Sequence, residues 1–107
     1  MIDPARLRWV SPKKLLRHFR DHGGEVGALT PVDYEESARE TVRQGQRQGT
    51  RFTYDDLQSG ERRVGYFDRG TGRFTALTNS ERRIVTHFVP TRGEAYCRTR
   101  PNSTYPF

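Results

Sequence analysis

The spacing of apolar positions changes period near the middle of the chain. Before residue 45 apolar side chains recur at three- and four-residue intervals, as on one helical face. From Thr50 onward they fall in short strand-length runs separated by turn clusters. The first helix is bounded by Ser11-Pro12, an N-cap followed by proline at the first helical position, and by the stop Gly23-Gly24. Between them Leu15, His18, Phe19 and His22 share one stripe. A second start stands at Thr30-Pro31, with Asp33, Glu35 and Glu36 placed where anions favour the helix dipole. Tyr34, Ala38, Thr41 and Val42 make its buried stripe, Gly45 is its expected end, and "QGQRQGT" then reads as a polar loop.

The strand runs are "TRFTYDD", "RRVGYFD", "GRFTALT" and "RRIVTHFV", and the short turns "QSG", "RGTG" and "TNSE" suit antiparallel hairpins. In the last run, alternation places Ile84, Thr86 and Phe88 on one face and Val85, His87 and Val89 on the other. Pro90 closes that strand. In the tail "RGEAYCRTRPNSTYPF", residues 94–100 could add an edge strand, and the final prolines forbid more regular structure. Two N-terminal helices followed by a meander predict an α+β fold, the helices packed on one face of a four- to five-stranded antiparallel sheet. The expected organisation is a single domain over 1–107, with an N-terminal extension at 1–10 and a C-terminal tail at 101–107.

Composition narrows the function classes. With 32% hydrophobic residues, the twelve aromatics supply much of the buried area of a single modest core. The net charge is +6, and only Lys13 and Lys14 of the nineteen cationic residues are lysines. Arginine grips phosphate bidentately and stacks on bases, so this bias points to a nucleic acid or an acidic protein partner. A GC-rich genome, in which arginine simply replaces lysine, accounts for it equally well. A single cysteine, Cys97, allows no intrachain disulfide and suits a reducing compartment. No apolar run reaches membrane-spanning length, and the N-terminus lacks a signal-peptide stretch, so no membrane association is expected.

The histidines carry the candidate chemistry. His18 and His22 are four apart on the first helix, beside Arg17, Lys13, Lys14 and Arg20. Neighbouring cations lower a histidine's pKa and keep it neutral, as a general base requires. The alternative is structural: one histidine packs beside Leu15 and Phe19 while the other caps the helix end. Zinc is disfavoured, because the pair lacks the glutamate of H-E-x-x-H and its surroundings are cationic. Neither metal nor cofactor is expected, and Cys97 has no defined partner that would make it a nucleophile. Thr86 and His87 are polar residues in a half-buried strand, where threonine is also common for its β-propensity. Histidine, arginine, hydroxyl and phenol suffice for metal-independent RNA cleavage, in which the 2′-hydroxyl is the nucleophile. The acidic cluster of a two-metal nuclease is missing from the sequence.

These residues resemble a family. "RHFRDHG" is similar to the basic-His-x-x-Asp-x-Gly segment of colicin D-like tRNase toxins, often K-H-A-x-D-F-G. The Thr-x-aromatic of "RIVTHFV" resembles their late-strand Ser/Thr-x-aromatic, and "RVGYFDRGTGRFTALTNSERRIVTHFVP" resembles the terminal sheet of bacterial polymorphic toxins of the barnase–EndoU–colicin–RelE class. The resemblance spans residues 14–105 and implies a microbial-ribonuclease-like fold and a metal-independent endoribonuclease acting on tRNA. It implies Arg17 at the catalytic lysine, His18 at the catalytic histidine and Thr86 at the phosphate-binding hydroxyl. Arginine yields a proton reluctantly, so Arg17 would serve as a charge clamp. His22 stands where the family often has an aromatic, as a second catalytic group or a helix-end residue. Tyr105, in "NSTY", stands where several relatives place a group beside the phosphate, and it could stack on a base or belong to a frayed tail. The full expected assignment is His18 as base, His22 assisting or acting as acid, Arg17 and Thr86 on phosphate, and His87 or Tyr105 as reserve acid. An acidic immunity protein is the implied protein partner. The implied site of action is the cytoplasm, after delivery from a secreted parent toxin. The alternatives are a non-catalytic basic nucleic-acid-binding module and an adaptor for an acidic partner.

Overall fold

A computed structural model describes residues 1–106; Phe107, the last residue of the expected tail, lies outside them. The order is a 3-10 turn (Pro4–Arg6), β1 (Arg8–Trp9), α1 (Pro12–His22), a second 3-10 turn (Gly23–Val26), α2 (Pro31–Gln48), β2 (Phe52–Asp56), β3 (Glu61–Asp68), β4 (Arg73–Thr78), β5 (Arg83–Phe88) and α3 (Glu94–Arg98). The sheet runs β1-β5-β4-β3-β2. This is the expected α+β class, with three differences. The sheet is mixed, since β1 pairs in parallel with β5 and only the other pairs are antiparallel. A short strand precedes the two helices. The ambiguous tail forms a third helix rather than an edge strand.

Both helix starts obey their caps. Ser11 Oγ accepts from Lys14 N at 3.2 Å, and Thr30 Oγ1 accepts from Asp33 N at 3.1 Å, each ahead of a proline at the first helical position. Leu15, His18, Phe19 and His22 form the half-buried face of α1, on which no residue is fully buried. On α2, Tyr34, Ala38, Thr41 and Val42 are buried together with Arg39 and Gly45.

Gly45 does not end α2. The helix continues to Gln48 and stops at Gly49, whose φ of 70° is the left-handed conformation of a helix C-terminus. Gly45 instead lets α2 approach β3: a Cβ there would lie 2.9 Å from Tyr66 Cβ and 3.1 Å from Thr50 Oγ1. Gly45→Ala is therefore expected to destabilise the fold by a net ~1–2 kcal/mol, since overpacking costs about 1–3 kcal/mol. That outweighs the ~1 kcal/mol alanine gains in a helix interior. A urea titration checks it, and an unchanged or raised midpoint would contradict this packing.

Each sheet face carries its own core. Under α1 and α2 lie Leu7, Trp9, Val26, Tyr34, Ala38, Val42, Val64, Tyr66, Leu77 and Ile84. On the other face Phe52, Tyr54, Phe67, Phe74, Ala76, Cys97 and Tyr105 pack beneath α3 and the tail. The N-terminal ten residues are thus part of the fold rather than an extension, because Leu7 and Trp9 are buried. Arg39 fastens them: Nε donates to Leu7 O at 2.9 Å and NH2 to Glu35 Oε1 at 2.6 Å, while Glu35 Oε2 accepts from Trp9 N at 3.1 Å. The tail is docked as well, with Thr104 N donating to Thr53 O at 2.9 Å and the Tyr105 hydroxyl to Glu94 Oε2 at 2.8 Å.

The pairing of β4 with β5 is interrupted once. β4 pairs Ala76 with Thr86 but Leu77 with Ile84, so Val85 is an extra residue, a β-bulge. Two neighbours on a bulged strand oppose one partner residue, which re-aims the side chains beyond it. Ile84 and His87 consequently face the helices, while Val85, Thr86 and Phe88 face the other side. The expected grouping of Ile84 with Thr86 and Phe88 is corrected accordingly.

Candidate active site

The bulge opens onto a cleft of about 440 Å³ on the α3 side of the sheet, closed at one end by α1. Lys14, Arg17 and His18 form its helical wall, Val85, Thr86 and Phe88 its β5 wall, and Tyr54, Arg63, Tyr96 and Arg100 the opposite side. Three of the residues expected from sequence, Arg17, His18 and Thr86, are therefore brought together. Their placement follows from local rules. Ser11 and Pro12 start α1 beside the end of β1, and the three- and four-residue spacing turns Lys14, Arg17 and His18 toward β5.

His18 is wedged against the indole of Trp9, with ring centroids 4.9 Å apart. Its Nδ1 is buried without a partner among the described residues, which leaves Nε2 as the ring nitrogen available to a ligand in the cleft. Burial, reinforced by His22, Arg17 and Lys14 against the opposing pull of Asp21, lowers its pKa to about 4. At neutral pH the imidazole is uncharged and can accept a proton. The cations around it differ in availability. Among the described residues Lys14 and Arg17 form no ion pair, whereas Arg63 NH2 meets Asp56 Oδ2 at 3.3 Å and the Arg100 guanidinium lies 3.9 Å over the Tyr96 ring. Asp55 and Asp56 also line the cleft. Asn102 and Arg62 hold the Asp55 carboxyl below its usual range, and Ser59 does so for Asp56, so both are ionised.

The other expected residues lie elsewhere. His22 Nδ1 sits 2.6 Å from Glu25 Oε2, over a shallow concavity with Phe88, Val89, Pro90 and Thr91 rather than in the cleft. Its ring is 6.1 Å from His18, so it neighbours the site and pins the end of α1 to Glu25, whose Oε1 accepts from Val89 N at 3.0 Å. His87 cannot be a reserve acid. It is fully buried, with Ser37 Oγ 2.9 Å from Nε2 and Thr75 Oγ1 2.8 Å from Nδ1, and burial lowers its pKa to about 3. Its carbonyl also accepts from the Tyr34 hydroxyl. Tyr105 is neither a reserve acid nor a stacking platform, because its ring is buried edge-on against Phe52 at 5.1 Å and its hydroxyl serves Glu94. Cys97 is buried in the same core, where desolvation pushes its thiol up to about 12.

Sequence reasoning did not find Tyr54, Arg63, Tyr96 and Arg100. A faint signal existed for two of them: Tyr96 and Arg100 are four apart, although α3 ends at Arg98 and Arg100 lies just beyond it. Nothing in the spacing announced that the Tyr96 ring packs on Phe74 of β4 and Phe88 of β5 and shares the cleft with Tyr54 and Arg63.

Comparison with family models, with curated proteins and with solved structures finds no match for this chain. Among the described residues, no helix is long and apolar enough to cross a membrane.

Proposed function

We propose that this chain is an endoribonuclease that cleaves RNA by internal attack of a 2′-hydroxyl, with general acid–base help from its own side chains. The observation that carries this reading is His18. An uncharged, partly buried imidazole shares one cleft with the cations of Lys14 and Arg17 and the hydroxyl of Thr86. In this reading His18 Nε2 takes the 2′-hydroxyl proton and the freed oxygen attacks phosphorus. The bond from phosphorus to the 5′-oxygen then breaks, leaving a 2′,3′-cyclic phosphate and a 5′-hydroxyl. Lys14 and Arg17 offset the charge that accumulates on the phosphorane oxygens, and Thr86 donates to one of them. The proton for the departing 5′-oxygen comes from a group still protonated in the cleft. With His22, His87 and Tyr105 placed elsewhere, the phenols of Tyr54 and Tyr96 remain, both held protonated by burial.

The toxin resemblance directs the substrate class to tRNA and the site of action to the cytoplasm. A nuclease of this kind would harm the cell that makes it, so the reading also includes an acidic inhibitor protein seated over the basic cleft. Charge complementarity would make that association fast and salt-sensitive.

The test is incubation with total RNA, with and without EDTA, followed by end analysis. Discrete fragments that persist in EDTA and carry cyclic phosphate ends are expected. A single 2′-deoxy substitution at the cut nucleotide should block cleavage there. Loss of cleavage in EDTA, or equal cleavage of the deoxy substrate, would overturn the mechanism. Intact RNA throughout, bound but uncut, would leave a nucleic-acid-binding module in its place.

A further inference from the structure

The parallel pairing of β1 with β5 places charges that are seventy-five residues apart side by side. Arg8 is the strand partner of Arg83, and Trp9 that of Ile84. Trp9 and Ile84 are buried under the helices, so strand alternation assigns Arg8 and Arg83 to the opposite face, the one that Val85, Thr86 and Phe88 present to the cleft. Arg83 also borders a concavity at that sheet edge with Asp3, Arg6 and Glu81. The neighbouring strands continue the line. Arg83 N donates to Thr78 Oγ1 at 3.4 Å, Thr78 is the partner of Arg63, and Arg63 is the partner of Tyr54. One transverse row thus runs Tyr54, Arg63, Thr78, Arg83, Arg8 from the cleft to the sheet edge. At ~4.8 Å per strand it extends ~19 Å, further than one nucleotide reaches.

The two outer arginines are exposed and their charge is uncommitted. Arg8 NH1 donates to Ala5 O at 3.2 Å and Leu7 O at 2.9 Å, and Arg83 NH1 to Arg82 O at 3.1 Å; neither meets a carboxylate among the described residues. A guanidinium has five N–H donors, so each keeps several for a ligand. Glu81, close by in sequence, is occupied by Arg51 and the Tyr66 hydroxyl. Elsewhere Arg39 and Arg43 of α2 and Arg62 and Arg63 of the β2–β3 hairpin are tied into ion pairs with carboxylates, such as Arg43 with Glu36 and Arg62 with Asp55. Arg8 and Arg83, like Lys14 and Arg17 at the cleft, form no ion pair among the described residues.

We infer that Arg8 and Arg83 form a second phosphate-binding subsite, which holds the backbone of a single-stranded RNA as it leaves the cleft. The substrate is then a polynucleotide strand gripped at several phosphates, an inference that rests on the nuclease reading of the cleft. The probe is a fluorescein-labelled 2′-O-methyl RNA dodecamer, which lacks the attacking hydroxyl and stays intact. Its affinity is measured by anisotropy from 50 to 300 mM KCl for three chains: unsubstituted, Arg8→Gln/Arg83→Gln, and Arg47→Gln/Arg92→Gln. Each neutralised phosphate contact contributes about 0.7 to the slope of log K against log salt for single strands. The Arg8/Arg83 pair should therefore flatten the slope by ~1.4 and weaken binding about tenfold at 100 mM. Arg47 and Arg92, both exposed, remove the same charge away from the row and should move the slope by less than half as much. A slope unchanged by Arg8→Gln/Arg83→Gln, or changed equally by both pairs, overturns the subsite. Thermal melts of both variants guard against misfolding, and Arg83→Glu alone, which reverses one charge, should give a loss at least as large. Failure of the nuclease reading is separate, for it shows as uncut RNA in the end analysis whatever the slopes.

Discussion

His18→Ala is expected to slow RNA cleavage by ~100-fold or more while the chain stays folded. A positioned base typically contributes a factor of 10²–10⁴, and no second imidazole reaches the cleft to replace it. The fold should survive because His18 sits on the half-buried face of α1, a helix with no fully buried side chain. The pH dependence of the unsubstituted chain tests the same group. Its pKa is lowered to about 4, so kcat/KM should rise as pH passes through about 4 and level off toward neutrality. His22→Ala should cost far less, since that ring is held by Glu25 outside the cleft. Cleavage of a fluorogenic RNA and thermal unfolding, measured side by side for both variants, decide the matter. A folded His18→Ala chain cutting at the original rate would remove the catalytic assignment.

What could be read from the sequence was whatever local rules determine. Proline after a capping hydroxyl placed both helix starts, and the apolar spacing on α1 picked out the four side chains that are half-buried. Strand runs separated by turn residues marked out the four-strand meander. The misreadings share a cause, which is that long-range packing decided them. Arg8 and Trp9 join the sheet only because β5, seventy-five residues later, offers an edge. Gly45 looked like a helix stop, but its missing Cβ makes room for Tyr66. Val85 carries no mark of a bulge, yet that one residue sends Ile84 away from Thr86 and turns His87 into the core. The helical half of the candidate site, Arg17 and His18, was legible because it is continuous in sequence. The half formed by Tyr54, Arg63, Tyr96 and Arg100 comes from separate elements, and only the folded sheet brings it together.

The burial of His87 sets a second large expectation, a pH dependence of stability. In the unfolded chain an exposed histidine takes up a proton near pH 6.5. In the fold, burial holds His87 neutral down to about pH 3, opposed by a hydrogen bond to Phe74 O and assisted by the charges of Arg73, His22 and His18. Its contribution to stability is therefore complete above pH 6.5 and drains away as pH falls, at up to ~1.4 kcal/mol per unit, until about pH 3. His87→Gln removes this titration. It also leaves Ser37 or Thr75 without a partner, which should lower stability at pH 7 by ~2 kcal/mol. Between pH 7 and pH 5 the native chain loses ~2 kcal/mol through His87 and the variant does not, so the two stability curves should nearly meet at pH 5. His18 and the carboxylates titrate in both chains and cancel in the difference. Urea denaturation at pH 7, 6 and 5 reads the result directly, and curves that stay parallel would mean that His87 titrates alike in the folded and unfolded chain and is not a buried residue.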